Sequence, residues 1–325
     1  MKRTLQTLIA LACLLTLAAQ AAERNIDRYP EKPIRFIVPF PPGALNDYLG
    51  RLLATKFTEN WNKQMVVDNR AGGSTIIGTE MAAKATPDGY TLLLCSVALA
   101  VNQTLFPKLP YNTDKDLAFV SMVAATPYLV VVQPSLPVKS LQDLVALAKA
   151  KPGQLNYGST GNGGTSNLMG EMLKTMAKID IVHIPYKGLA PALTDMMGGQ
   201  INLAFGGYST VGELWKSGRL RAIAVTSAKR SPYTPDLPTI AESGYPGYEA
   251  TPWWGLAVPA GTPKPIVAKL NAEVHRIMKS PDVTEQMKSR AIEVWISTPE
   301  ELADYYRKEV TRWANVVKTA HIKAE

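Results

Sequence analysis

An α/β fold in two lobes, each a mainly parallel sheet flanked by helices, is what this sequence predicts on three observations. Short apolar runs alternate with longer stretches of helical period, the pattern of sheets covered by helices. Roughly 300 residues follow an apolar leader, more than a single hydrophobic core usually holds. One device also occurs twice: a strand running into a Gly-rich loop and then a helix start, in FIVPFPPGALND around Gly43 and in LNYGSTGNGGTSNLMGEML around Gly161.

The leader comes first along the chain. Lys2 and Arg3 precede an apolar run, Leu5 to Ala18, that ends in Ala19-Gln20-Ala21, so residues 1–21 read as a secretory signal peptide. The run is shorter than the ~20 apolar residues of a membrane span. Cys13 sits inside it among apolar neighbours, as part of the signal core rather than a lipid-attachment site. Cleavage leaves Cys95 alone, so no internal disulfide forms and the exported protein rests on its core. It also removes Lys2 and Arg3 and lowers the formal charge from +8 to +6. The remaining basic residues are scattered with no run longer than a pair, which argues against nucleic acid as a partner. Their mild positive field helps to gather small anions.

Beyond the leader, apolar runs predict strands at 34–38, 65–67, 91–94, 119–123, 129–132, 181–184, 201–205, 221–225 and 254–258. Helical period covers 46–61, 140–149, 165–176, 190–197 and 264–278. A last helix over 299–317 puts Leu302, Tyr305, Tyr306, Val310, Trp313 and Val317 on one stripe, which core packing explains.

Both Gly-rich loops fall at the carboxyl ends of strands, where open α/β sheets bind ligands. In the first, Pro41 and Pro42 have no N–H and fix the chain, which leaves the amides from Gly43 onward as donors into a cleft. Gly43 lets a ligand approach the backbone, while Ala44 and Leu45 make that approach more apolar. Phe40 either lies against a flat ligand or belongs to the core. Asp47, in the first helical turn, either satisfies N–H groups there or touches the ligand. In the second loop, Ser159 and Thr160 precede Gly161, Gly163 and Gly164, and Thr165 and Ser166 are good helix caps. The four hydroxyls are the expected donors to a carboxylate. Neither loop has the G-x-x-x-x-G-K-[ST] arrangement or a full G-x-G-x-x-G with a later acid, so a nucleotide fits poorly and a smaller anion fits well.

Catalytic groups are scarce. His183 lies in a predicted strand, and His275 and His321 lie in helical stretches among charged residues, so each reads as structural. The sequence holds no G-x-S-x-G elbow, no H-E-x-x-H and no Cys-x-x-Cys. No catalytic residue, metal or cofactor is expected, and the chain reads as a binder. The alternative is an exported α/β enzyme acting on an acidic small molecule.

YPEKPIRFIVPFPPG, VVDNRAGGSTIIGTEMAAKATPDGYTLLL, LFPKLPYNTDKDLAFVSMVA, LNYGSTGNGGTSNLMGE, VHIPYKGLAPALTDMMGGQINLAF, LRAIAVTSAKRSPYTPDLPTIAESGYPGYEATPWWGLAVPAGTP and STPEELADYYRKEVTRWANVVK follow one another from Tyr29 to the C-terminus. In these segments the chain resembles the tripartite tricarboxylate transporter substrate-binding proteins, the Bug or TctC family. The resemblance implies a periplasmic, monomeric solute receptor with a type II Venus-flytrap fold. Lobe one would be 25–125 plus 250–325, and lobe two 126–249. The ligand would be a small carboxylate, handed to a membrane permease of one large and one small subunit. The family's binding loops map onto 40–47 (Phe40, Pro42, Gly43, Ala44, Leu45, Asn46, Asp47) and onto 95–102 (Ser96, Val97, Ala98). They also map onto 159–166 (Ser159, Thr160, Gly161, Gly164, Thr165, Ser166) and 205–208 (Gly206, Gly207, Tyr208).

Two departures from the family pattern bear on the ligand. Ala44 stands where a glycine is common, and Gly206-Gly207 stands where Asp-Asn is common after Phe205. Loss of that acid removes repulsion against a second anionic end and opens space, which favours an aromatic or aliphatic dicarboxylate over an amino acid.

Overall fold

β1 (Ile34–Val38) forms where an apolar, β-branched run can be covered on both faces, and only Arg35 in it is not fully buried. In the computed structural model residues 28–43 and 45–323 are described; the expected signal peptide and Ala44 lie outside them. β1 pairs in parallel with β2 (Met65–Asn69) and β3 (Thr91–Ser96). With β4 (Leu117–Ala125), β10 (Trp253–Pro259) and β11 (Glu293–Val294) they make one sheet, in the order β11-β4-β10-β3-β1-β2. The second sheet has the order β7 (Val182–Pro185), β6 (Asn156–Ser159), β8 (Leu203–Gly207), β5 (Tyr128–Val132) and β9 (Arg221–Val225). The fold is therefore the expected two-lobed α/β architecture.

The sheets are mixed, not mainly parallel. β10 runs antiparallel to both β3 and β4, and β5 runs antiparallel to both β8 and β9. Each is the first strand after the chain passes from one sheet to the other, so it enters from the junction and runs against the strands that lead toward it. Both sheets thus share one order, β2-β1-β3-β10-β4 and β7-β6-β8-β5-β9.

The helices cover both sheets. In the first lobe they are α1 (Leu45–Trp61), α2 (Ile76–Ala83), α3 (Val97–Leu105) and α4 (Thr113–Asp116). The second carries α5 (Leu141–Ala150), α6 (Thr165–Ala177), α7 (Leu189–Met197) and α8 (Tyr208–Lys216). α9 (Lys264–Met278), α10 (Pro281–Ser289) and α11 (Pro299–Thr319) close the chain. Ser140 and Thr298 start α5 and α11 with full capping boxes, as their spacing to Asp143 and Glu301 dictates. α2, α3, α4, α8 and α10 were not among the expected helices; each has nine residues or fewer, a length at which a helical period is weak, although α7 of the same length was expected.

Two chain segments join the lobes and pair at the junction. Thr126 donates its N–H to Pro252 at 3.0 Å, and Ala250 donates to Thr226 at 2.9 Å. The buried Thr226 hydroxyl accepts from the Tyr128 N–H at 3.0 Å. α11 lies over α6, so Trp313 and Val317 share a core cluster with Leu168 and Met172. Under α11, Glu309 is 0% exposed and accepts from the indoles of Trp253 (3.1 Å) and Trp313 (2.9 Å). Arg312 donates to the same carboxylate and to Glu249 beside the junction. Among the described residues no helix is long and apolar enough to cross a membrane.

Candidate functional site

β1 and β3 are parallel neighbours that lead into α1 and α3, and β6 and β8 are parallel neighbours that lead into α6 and α8. Four helix starts therefore lie at strand carboxyl ends, two from each sheet, the position at which α/β sheets bind ligands. One contact crosses between the lobes: a Cβ added to Gly163, in the loop after β6, would lie 2.9 Å from Leu105 Cδ2 at the carboxyl end of α3.

The loop after β1 is locked from within. Gly43 adopts φ +92° with open space around its Cβ position, so the turn requires glycine for its backbone and not for room. Its N–H donates to Asp47 Oδ2 at 3.0 Å, so this amide does not face the cleft as the sequence suggested. Arg51 Nε donates to the same oxygen at 2.9 Å, and Asn69 Nδ2 donates to Asp47 Oδ1 (3.0 Å) and to the Phe40 carbonyl (3.1 Å). Asp47, 5% exposed, is the knot that holds the loop. Phe40 is half-buried against the first-lobe core, and Pro42 is exposed. Asn46 accepts from the Trp254 indole, which fixes its side chain beside the half-buried Leu45.

Arg51, chiefly through its hydrogen bond, holds the Asp47 carboxyl below the usual carboxylate range. A depressed folded pKa contributes stability that is present above the unfolded value and is lost as pH falls. Asp47→Asn is expected to cost about 1–2 kcal/mol at pH 7, the low end for a buried acceptor because Arg51 is half exposed. Thermal melts should show that deficit shrinking below about pH 4. A deficit unchanged from pH 7 to 3 would count against the charged knot.

After β3, Ser96 caps α3 by accepting from the Ala98 N–H at 3.3 Å, with Val97 buried and Ala98 half-buried behind it. After β6, the hydroxyls of Ser159, Thr160 and Ser166, expected to face a ligand, are engaged within the protein. Ser159 is 0% exposed; its Oγ lies 2.5 Å from His183 Nε2, accepts from the Gly161 N–H (3.1 Å) and lies 3.2 Å from the Gly161 carbonyl. Ser166, 1% exposed, accepts from the Thr160 N–H (3.0 Å) and pairs with the Thr160 hydroxyl (3.2 Å). Thr165 and Ser166 are not the caps they were expected to be. α6 begins on Gly164 with no side-chain cap, and those two residues form its first turn.

Residues 49–322 match the family described as tripartite tricarboxylate transporter family receptor. The chain belongs to this family. Among similar solved structures, the receptor shares 35% identity with the Rhodopseudomonas palustris protein Rpa4515, solved with adipate; the match covers 91% of this chain and 99% of that one, with a TM-score of 0.78. The periplasmic binding protein BugD is 33% identical over 91% of this chain and all of its own, with a TM-score of 0.75. MatC of R. palustris, with bound malate, is 29% identical over 89% of this chain and all of its own, at 0.74.

In this receptor the departure at Gly206-Gly207 does not open space. A Cβ on Gly206 would lie 2.5 Å from Val211 Cγ1 and 2.9 Å from Leu189 Cδ2, and one on Gly207 would lie 3.3 Å from Tyr128 Cε1. Apolar side chains of α7 and α8 fill the room that an Asp would take. α8 starts on Gly207, again with no side-chain cap, and half-buried Tyr208 turns its ring toward Trp215 at 6.4 Å.

Sequence reasoning missed Arg51, Asn69, His183, Leu189, Val211 and Trp254 around these loops. Only Arg51 carried a local signal, its i,i+4 spacing from Asp47. Val211 lies on the helix directly after Gly207, and the others come from more distant segments of the chain.

Proposed function

We propose that the receptor binds a small dicarboxylate between its lobes, in the periplasm, and delivers it to a tripartite tricarboxylate-type membrane permease. One observation carries this reading. α6 and α8 both start on glycine with no side-chain cap hydrogen bond, at the ends of neighbouring strands. Two such helix starts side by side offer directed N–H donors and positive dipole ends to one carboxylate. Across the cleft, the Asp47 charge is neutralised by Arg51, and the other carboxylate meets the starts of α1 and α3. Leu45, Ala98 and Leu105 suit an apolar ligand body. With Leu189 and Val211 behind Gly206, a slim aliphatic diacid is favoured over an aromatic one. The adipate and malate in the similar proteins Rpa4515 and MatC support a dicarboxylate, and the similarity to BugD together with the leader supports the periplasm.

The lobe boundaries we assign are Ala125/Thr126 and Glu249/Ala250, where the two connecting segments pair. The protein acts as a monomer, with no turnover of its ligand.

Melting shifts with adipate, malate, terephthalate, glutamate and citrate, followed by mass analysis of the incubated ligand, test the reading. A diacid at 100 times its Kd should add about 2.7 kcal/mol of stability and be recovered unchanged. A chemically altered ligand would move the protein to the enzyme class. Stabilisation by glutamate or citrate with none by any diacid would overturn the ligand assignment.

A further inference from the structure

Trp254 links the two helix starts of the first lobe. It lies two residues after Pro252, whose carbonyl accepts from Thr126 at the junction between the lobes. In β10 it pairs with Ser96 of β3, the residue that caps α3. Its indole crosses to α1, where Nε1 donates to Asn46 Oδ1. The ring is 6% exposed and shares the first-lobe core with Val38, Phe40 and Leu45, so packing holds it in place.

An indole N–H can only donate, so the side of the Asn46 amide that faces Trp254 must be its oxygen. The two N–H groups of Nδ2 then point to the other side of the amide. Nδ2 has no hydrogen-bond partner among the described residues, and Asn46 is half-buried at the second position of α1. The other polar side chains of this first turn are engaged. Asp47 accepts from Gly43, Arg51 and Asn69, and the Tyr48 hydroxyl donates to Gln286. An amide free to turn would offer its oxygen to an ammonium as readily as its N–H groups to a carboxylate, so an asparagine by itself selects neither.

We propose that Trp254 is a positioning residue that sets the receptor's specificity: by holding the Asn46 oxygen, it leaves only N–H donors for the ligand at the start of α1, so this end of the cleft takes a carboxylate and rejects an ammonium. The proposal rests on the dicarboxylate reading above. Discrimination of this kind needs no charged side chain in the cleft. A ligand that ends in an ammonium meets donors facing donors, and the cost of its unpaired N–H groups falls on that ligand alone.

Calorimetry with adipate against 5-aminopentanoate, and with malate against isoserine, tests this, because in each pair an ammonium replaces one carboxylate. The wild type should prefer a diacid that it binds over the amino partner by about tenfold or more, the worth of one hydrogen bond to a charged group. Trp254→Phe keeps an aromatic ring in the core but has no N–H, and should shrink that preference by about threefold or more. Asn46→Ala, at a half-buried position, should shrink it as far without disturbing the ring. Adding Trp254→Phe to Asn46→Ala should then change the preference by less than about twofold, since the indole acts through Asn46. The ratio of two affinities measured on one folded protein does not move with stability alone. A wild type without the preference, an unchanged preference in Asn46→Ala or in Trp254→Phe, or an equal fall when Asn46 is already gone overturns the specificity role and leaves the dicarboxylate reading intact. A wild type that binds neither adipate nor malate overturns both.

Discussion

Replacing Glu309 by alanine is expected to destabilise the folded protein by about 3–5 kcal/mol, the cost of breaking a buried ion pair by removing one partner. The carboxylate is 0% exposed and is the shared acceptor for the indoles of Trp253 and Trp313 and for Arg312. Its removal leaves two buried N–H donors without an acceptor and Arg312 with Glu249 alone. Glu309→Gln keeps the volume and an acceptor oxygen for the indoles, so it should cost clearly less. Denaturant unfolding of the two variants separates charge from hydrogen bonding. A Glu309→Ala protein within 1 kcal/mol of wild type would show that the network is not what fastens α11 to β10.

Gly206→Asp, which restores the acid common at this place in the family, is expected to cost at least ~3 kcal/mol instead of restoring a family-like pocket. The added Cβ alone would meet Val211 Cγ1 at 2.5 Å and Leu189 Cδ2 at 2.9 Å. Overpacking of a dense core typically costs ~1–3 kcal/mol, and a carboxylate facing two aliphatic side chains adds its own desolvation. A double variant, Gly206→Asp with Val211→Ala, should recover part of the loss, because it removes the nearer obstacle. Melting curves and ligand affinity on the same samples decide the point. A single variant with wild-type stability would mean that α7 and α8 yield easily and that the space behind Gly206 is available after all.

The strand, glycine and helix motif was legible because its parts are adjacent in the chain. It placed β1 with α1 and β6 with α6, and the resemblance added the loops after β3 and β8. The antiparallel course of β5 and β10 was not legible, since strand direction depends on where the chain crosses between sheets and not on the period of VVV or GLAV. Hydroxyl roles were misjudged for a related reason. Ser159, Thr160, Thr165 and Ser166 look like free donors until the fold brings His183 beside Ser159 and turns Ser166 back on Thr160. Gly206 and Gly207 read as vacant space because the side chains that occupy it belong to other elements: Leu189 and Val211, on the helices on either side of β8, at Gly206, and Tyr128 of β5 at Gly207. Composition and periodicity report what a segment tends to bury. They do not report which neighbour it buries it against.

The position of β10 sets an order of events during synthesis. It lies between β3 and β4, in the middle of the first sheet, although its residues come after the whole second sheet. A growing chain that has emerged only to residue 225 therefore holds every strand of the second sheet but lacks the central strand of the first. The lobe that begins first must finish last, the reverse of the usual N-to-C succession of folding units. Until residue 259 is available, β3 and β4 have no partner to join them. The first lobe of a newly made chain consequently stays without its central strand until about four-fifths of the chain has been made.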